Sequence, residues 1–296
     1  MKKVSVVLAS YNGEKYLQSQ IDSIFKQSGV ICKLFVRDDG SSDSTKKILE
    51  ENQKQGKLTW YAGPHLSVAQ GFLELLKNVE DADYYAFCDQ DDIWLSDKLI
   101  SAVKKIELEN DSLPLMYCSS TTLVDENLKS ITTHCININR TNLARFIFND
   151  MSGNTIVINN TLRNYLCDVD RPLISIHDKW CVQLCLAIGG KCIVDSESHI
   201  LYRQHSNNTI GMELTFFDKV KKFLDICDMP HDINMDVLKN EYTSFLIEPY
   251  KSFIYLACKE KLTFEERIRL ICDENVKFGN RMFDLAFKIR TLKGLI

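Results

Sequence analysis

The N-terminal third of the chain repeats one pattern, a short apolar run, a polar turn and then a helical stripe, and this alternation limits the fold more than any other feature. Residues 3 to 9, Lys-Val-Ser-Val-Val-Leu-Ala, end at the turn Ser10-Tyr11-Asn12-Gly13, after which apolar side chains recur with helical spacing at Leu17, Ile21, Ile24 and Phe25. Leu34-Phe35-Val36 ends at Asp38-Asp39-Gly40-Ser41-Ser42-Asp43-Ser44, and a second helix follows through Ile48 and Leu49. Leu58 to Tyr61 leads through Gly63-Pro64 into a third stripe at Val68, Phe72, Leu75, Leu76 and Val79. Tyr84-Tyr85-Ala86-Phe87-Cys88 is apolar throughout, as suits a strand covered on both faces of a parallel sheet. Strands alternating with helices of this length predict a doubly wound α/β domain, whose ligands bind at the carboxyl ends of the strands. Every turn cluster named above lies at such an end.

The alternation then weakens. A helix is expected after Asp92, with Ser96 as its N-cap, Asp97 in its first turn and Leu99, Ile100, Val103 and Ile106 on one face. Leu115 to Cys118, Thr155 to Ile158 and Lys191 to Val194 read as strands, with Asp178 to Ile188 helical between the last two, which predicts a mixed sheet. From Leu214 onward the pattern is helical only: one stripe runs through Phe216, Phe217, Val220, Phe223, Leu224 and Cys227, and a longer one from Phe264 to Ile289. The organisation expected is a domain over 1–213, its alternating part at 1–110 and its mixed part at 111–213, followed by a helical region at 214–296. Lys219, Lys221 and Lys222 beside the phenylalanines leave a peripheral membrane contact and a homodimer open, but a helix packed on a core carries the same pattern, and packing is the preferred reading.

Of the 296 residues, 45% are hydrophobic and 26% charged, enough apolar material for a substantial core. The net charge of −4 supplies no basic field for nucleic acid, so an anionic ligand has to be met by local positive charge or a metal. No run of eighteen apolar residues occurs, and the N-terminal apolar run is too short for a signal-peptide core, which points to a cytoplasmic protein, at most peripheral to the inner face of the membrane. The 11 cysteines include no C-x-x-C pair, and Cys88, Cys118, Cys181 and Cys185 lie in apolar runs, as buried thiols do in a reducing compartment.

Asp89, Asp91 and Asp92 crowd three carboxylates behind a buried strand, and their repulsion makes the place costly unless a cation neutralises it. Mg²⁺ or Mn²⁺ binds through one or two carboxylates and keeps positions for diphosphate oxygens. An isolated Asp-x-Asp is more often a solvated turn; the position after the strand favours the metal. In the Asp38-Asp39 loop a carboxylate can accept hydrogen bonds from a base imide or a ribose hydroxyl while Tyr11 stacks on the base, although a turn with a helix cap explains that loop equally well.

Taken together, these segments resemble the inverting family 2 glycosyltransferases of GT-A fold, especially bacterial rhamnosyltransferase-like members that build surface polysaccharides such as O-antigen and capsule. The resemblance rests on Val-Val-Leu-Ala-Ser-Tyr-Asn-Gly at 6 to 13, Asp38-Asp39-Gly-Ser-Ser-Asp, Cys-Asp-Gln-Asp-Asp-Ile-Trp at 88 to 94, His177-Asp178 before a Trp, and Tyr202-Arg203-Gln204-His205-Ser206-Asn207-Asn208. It implies a GT-A-type doubly wound mixed sheet with a C-terminal helical extension, 1–110 being the nucleotide-binding part and 111–213 the acceptor-binding part. It places Ala9, Ser10, Tyr11, Asn12, Asp38, Asp39, Asp89 and Gln90 at the nucleotide, and Asp91, Asp89 and His205 at the metal, Mn²⁺ or Mg²⁺. Asp178 is implied as catalytic base, and Trp94, Gly153, His177, Trp180 and Arg203 are implied around the donor and acceptor. The substrates implied are a dTDP- or UDP-linked sugar, L-rhamnose or a hexose, and a glycan or lipid-linked oligosaccharide. Two departures touch sugar identity: His65 and Ser67 stand where related sequences carry Asn and Gly, and Lys179 intervenes before Trp180. Nucleotidyl transfer lacks its basic Gly-rich phosphate loop in this chain. Glycoside hydrolysis and a catalytically inactive binding subunit are the other readings, the last disfavoured by retention of Asp39, Asp91 and Asp178 together.

Overall fold

The structure is a computed structural model and describes residues 1–168, 173–205 and 216–295, less the side chains at 216–219 and 222. Ser206, Asn207 and Asn208 of the last motif, the boundary at 213/214, and the side chains of Phe216, Phe217, Lys219 and Lys222 lie outside the described residues.

The expected alternation forms as β1 (Lys3–Ser10), α1 (Leu17–Ile24), β2 (Ile31–Asp38), α2 (Thr45–Lys54), β3 (Leu58–Ala62), α3 (Val68–Asn78) and β4 (Tyr84–Cys88). β1 pairs in parallel with β2 and β4, and β2 with β3, so the chain travels outward from β1 and then returns to its other side. That reversal opens a crevice at the carboxyl ends of β1 and β4. Period-two alternation supplies both layers: Tyr84, Ala86 and Cys88 join the core under α1 and α4 (Lys98–Ile106), whereas Tyr85 and Phe87 join the opposite core with Phe72 of α3.

The sheet continues as predicted into mixed pairing. β8 (Val157–Asn159) runs antiparallel to both β4 and β6 (Leu115–Val124), and β9 (Lys191–Arg203) is parallel to β6. Two short strands escape the sequence reading: β5 (Ile93–Trp94) and β7 (Ser130–His134), antiparallel to β9 and β6. The strand expected from Thr155 begins later, because Gly153–Thr155 closes a 3₁₀ turn first. Ser96 is not the N-cap of α4; Asp97 holds that place without a side-chain cap bond, its carboxylate lying 3.1 Å from His199 Nδ1 instead.

α5 (Asn142–Ile147), α6 (Asn160–Asp168) and α7 (His177–Ala187) cover the face shared with α3. Among the described residues five helices follow: α8 (Phe216–Cys227), α9 (Ile233–Glu241), α10 (Tyr250–Ala257), α11 (Phe264–Ile271) and α12 (Arg281–Lys293). The stripe expected from Phe264 to Ile289 is thus two helices, broken between Cys272 and Asn280, where Asn280 caps α12 by accepting from the Met282 N–H. Tyr242, Tyr250, Phe253, Ile254 and Phe287 are buried in the same apolar cluster as α3, α5 and α7. At about 1.5–3 kcal/mol for each large side chain withdrawn from water, this contact seats the helices on the sheet layer.

Candidate active site

The loops after β1 and β2 are stitched to each other through side chains. Ser41 Oγ accepts the Asn12 N–H at 2.9 Å, Thr45 Oγ1 accepts that of Gly13 at 2.8 Å, and Asn12 Oδ1 accepts that of Ser42 at 2.9 Å. Asn12 adopts φ 47°, a left-handed conformation that asparagine tolerates better than most residues. Gln90 reaches back from the acidic loop and pairs its amide with the Tyr11 backbone, accepting at 3.0 Å and donating at 3.1 Å. These bonds fix a cleft of about 780 Å³ at the carboxyl ends of β1 and β4.

Of the residues expected at a nucleotide, Ala9, Ser10, Tyr11, Asn12, Asp39, Asp89 and Gln90 all border this cleft. Tyr11 is half exposed, its ring centroid 5.2 Å from that of His65. Asp39 is ion-paired with buried Arg37, which also bonds Glu74 at 3.0 Å and the Pro64 carbonyl at 2.7 Å. Asp38 does not border the cleft: fully buried, its carboxylate accepts the N–H groups of Gly40 and Ser41 and the Ser41 hydroxyl, closing its own loop.

At the acidic end, Asp91 Oδ2 lies 2.7 Å from His205 Nε2, and the His205 ring stacks on Tyr16 at 5.2 Å. Burial, then repulsion from Asp91 and Asp178, pushes the Asp89 carboxyl well above the usual range. Asp92 is spent within the protein, accepting from Asn154 Nδ2 at 2.6 Å and from the Arg203 N–H at 3.2 Å. Arg203 braces the loop rather than facing the cleft, donating to the carbonyls of Asp91 at 2.9 Å and Glu126 at 2.6 Å. Trp94 and Trp180 are likewise buried away from it: Trp94 lies under the Lys98 ammonium, 3.7 Å from the ring centroid, and Trp180 packs edge-on to Tyr242 at 5.9 Å. The segment 132–150, within the part expected to bind an acceptor, does not border this cleft; Ile136, Leu143, Phe146 and Phe148 are core residues.

At the other end, α7 begins at His177 and presents Asp178 in its first turn. Burial lifts the Asp178 carboxyl from its ordinary 3.8 to about 6, against the opposing pull of backbone N–H groups of Lys179 and Gly153. Gly153 and His177 border the cleft beside it, as expected. Lys15, Tyr16 and Glu126 are site residues that sequence reasoning missed. Lys15 Nζ lies 2.6 Å from Glu126 Oε2, a contact between residues 111 apart in the chain that no local pattern announces.

The cleft is strongly acidic. Asp39, Asp89, Asp91, Glu126 and Asp178 border it against one lysine, Lys15, among the described residues. The donor set fits a hard divalent ion, which takes one or two protein ligands and leaves oxygen positions open. Asp91 and His205 supply such a pair. They form no closed cage with Asp89; among the described residues the ligating groups that do converge within 4.8 Å are His231, Asp236 and Cys258, far along the chain on the helical region.

Residues 5–158, just over half of the chain, match the profile of Glycosyl transferase family 2. The chain belongs to that family. This glycosyltransferase is 29% identical over 237 residues to the dTDP-rhamnosyl transferase RfbG of Shigella flexneri, spanning 73% of this chain and 77% of that one. It is 35% identical over 97 residues to the UDP-Glc:alpha-D-GlcNAc-diphosphoundecaprenol beta-1,3-glucosyltransferase WfgD of Escherichia coli, 32% of this chain and 38% of that one. Among solved structures it superposes on S. aureus TarS 1-349 in complex with UDP-GlcNAc with a TM-score of 0.59, at 16% identity, covering 98% of this chain and 90% of the other. The mannosyltransferase PcManGT from Pyrobaculum calidifontis, in complex with GDP-Man and Mn²⁺, gives a TM-score of 0.57 at 13% identity, over 85% and 68% of the two chains. The fold is therefore the GT-A fold, with additional helices at the C-terminus.

Proposed function

We propose that this glycosyltransferase moves a hexosyl or 6-deoxyhexosyl unit from a dTDP- or UDP-linked donor to a hydroxyl of a glycan or lipid-linked glycan, with inversion, in building a bacterial surface polysaccharide. The observation that carries this reading is Asp178, a carboxylate held dry at a helix N-terminus on the cleft wall, with its affinity for a proton raised toward neutrality. A base so tuned stays ionised at pH 7 yet binds a proton firmly enough to help an alcohol attack.

In the proposed reaction Asp178 takes the proton of the acceptor hydroxyl as its oxygen bonds to the anomeric carbon. The carbon–oxygen bond to the diphosphate breaks on the opposite face, and its electron pair leaves with the nucleoside diphosphate. Tyr11 and His65 flank the base, and Asp39 takes a base imide or ribose hydroxyl. A divalent ion, when bound by Asp91 and His205 with Asp89 nearby, supplies charge neutralisation for the diphosphate. Relatives with a dTDP-rhamnosyl and a UDP-Glc donor by name support the donor class. No helix among the described residues is long and apolar enough to cross a membrane.

The test is a panel of dTDP-rhamnose, UDP-glucose, UDP-galactose and UDP-N-acetylhexosamines, assayed for Mn²⁺-dependent release of nucleoside diphosphate. One donor hydrolysed well above the others supports the reading. Pyrophosphate release in its place points to nucleotidyl transfer and sinks it.

A further inference from the structure

Three unlike ligating groups meet on the helical region. His231 lies just before α9, Asp236 stands in the first turn of that helix, and Cys258 caps the C-terminal end of α10. Their ring nitrogen, carboxylate oxygen and sulfur all lie within 4.8 Å of one another, with His231 Nε2 2.9 Å from Asp236 Oδ2. None of the three borders the cleft. A tetrahedral zinc ion, bonded at about 2.0–2.3 Å to such atoms, holds them about 3.3–3.6 Å apart, so small side-chain rotations close the group on one. His231 and Asp236 are exposed and give an ion access from solvent, while half-buried Cys258 rests against the apolar cluster.

The contact between His231 and Asp236 alone reads as a surface ion pair that contributes little. The thiol changes that reading. Burial, then the Asp236 charge, pushes the Cys258 thiol up to about 11. A divalent ion reverses that environment, because it offsets the carboxylate and takes the thiolate, whose proton leaves to water. The donor set also chooses the ion: thiolate and imidazole suit zinc, whereas Mg²⁺, Mn²⁺ and Ca²⁺ prefer oxygen. Asp232, next to His231, is not a fourth ligand. Its carboxylate is engaged by the Asn234 N–H, by Gln183 Nε2 at 2.7 Å and by Lys179 Nζ at 2.8 Å.

We propose that His231, Asp236 and Cys258 form a zinc-binding site, with water as the fourth ligand, that fastens the start of α9 to the end of α10. Through Gln183 and Lys179, Asp232 ties that same end of α9 to α7, so the clip steadies the support of the helix that carries Asp178. The site is independent of the glycosyltransferase reading and of the cation expected at Asp91.

The experiment uses the full chain freed of metal by chelation, with Co²⁺ as the spectroscopic stand-in for zinc. One equivalent should give a sulfur-to-cobalt charge-transfer band in the near ultraviolet and the intense visible bands of a tetrahedral ion, and Zn²⁺ should abolish both. Asp91 and His205 offer no sulfur, so the band reports a cysteine ligand. Cys258→Ser should lose it, whereas Cys135→Ser and Cys272→Ser, at exposed cysteines, should keep it. In calorimetry on an Asp91→Ala background, which removes the ion proposed for the cleft, His231→Ala and Asp236→Asn should each weaken Zn²⁺ binding at least about 10-fold, since loss of an outer-shell partner already costs that much. Zn²⁺ should raise the Tm of this background and leave that of its Cys258→Ser form unchanged.

A cobalt spectrum without the sulfur band, or a band that survives Cys258→Ser, overturns the site. Mn²⁺ held as tightly as Zn²⁺ on the Asp91→Ala background does so too, as does a Zn²⁺ affinity that neither His231→Ala nor Asp236→Asn changes.

Discussion

The two walls of the cleft treat their polar groups in opposite ways. On the wall built by the loops after β1 and β2, the N–H groups of Asn12, Gly13 and Ser42 are met by the side chains of Ser41, Thr45 and Asn12, and Gln90 is paired with the Tyr11 backbone. On the α7 wall, His177 has no partner at either nitrogen and Asp178 is kept where its charge is disfavoured. The first is a finished mould whose shape does not depend on ligand. The second keeps His177 and Asp178 in a dry place at a cost to the fold, and under the proposed mechanism that burial readies Asp178 for proton transfer.

The largest effect should come from breaking the second wall at its base. Asp178→Asn is expected to lower kcat by about 10²–10⁴ while donor binding survives, and a turnover near normal would end the assignment. The wild-type kcat/KM should fall tenfold per unit as pH drops below about 6, where the carboxylate of the free enzyme takes up its proton. Stability should move the other way. The folded-state pKa lies above the ordinary 3.8, so the carboxyl favours the fold only while protonated, a contribution complete below 3.8 and lost as pH rises through about 6. Asp178→Asn should therefore be more stable than wild type by about 1–3 kcal/mol at pH 7, the gain growing between those two values and flat above them. Denaturant titrations at pH 4 and pH 7.5 measure it.

Next in size is the acidic end, where Asp91→Ala should weaken Mn²⁺-dependent binding of UDP or dTDP by at least the roughly 10–100-fold that loss of an outer-shell partner already causes. Calorimetry with and without Mn²⁺ decides it, and equal affinity in the variant would remove Asp91 from the metal. Gly153→Ala should follow. Its Cβ would press on His177, enclosed by Phe72 and Phe87, and the overpacking should cost about 1–3 kcal/mol in a denaturant titration.

The same contrast explains what was legible in the sequence. Strands β1 to β4 and their loops follow from local periodicity and turn chemistry, so the nucleotide wall and its switch point could be placed from composition of short segments. Asp91 and Asp178, proposed as metal ligand and base, could be placed at the cleft because their motifs sit just after β4 and at the start of α7. Trp94, Trp180 and Arg203 carry motif positions too, yet they face the core or brace a loop, since which way a side chain points depends on neighbours supplied by β9 and α9. The break between α11 and α12 was hidden because both flanks keep an apolar stripe, and Glu126 was hidden because its hairpin meets Lys15 only in the folded chain.

The smallest effect belongs to that Lys15–Glu126 pair, which joins the finished wall to the far side of the cleft mouth. Both side chains are exposed, at 62% and 49%, so the pair adds little to stability and Lys15→Ala should melt with the wild type. Its charge matters more than its bond, because among the described residues Lys15 is the one lysine bordering the cleft proposed to admit a diphosphate. Lys15→Ala should raise the donor KM about two- to threefold at low salt, an effect that fades near 0.5 M salt as screening shortens to a few ångströms. Glu126→Gln should lower the same KM, since it removes a negative charge from the mouth and frees Lys15 for the phosphates. A KM that moves in the same direction in both variants would mean that the pair acts as a latch between the walls, with its geometry and not its charge deciding donor entry.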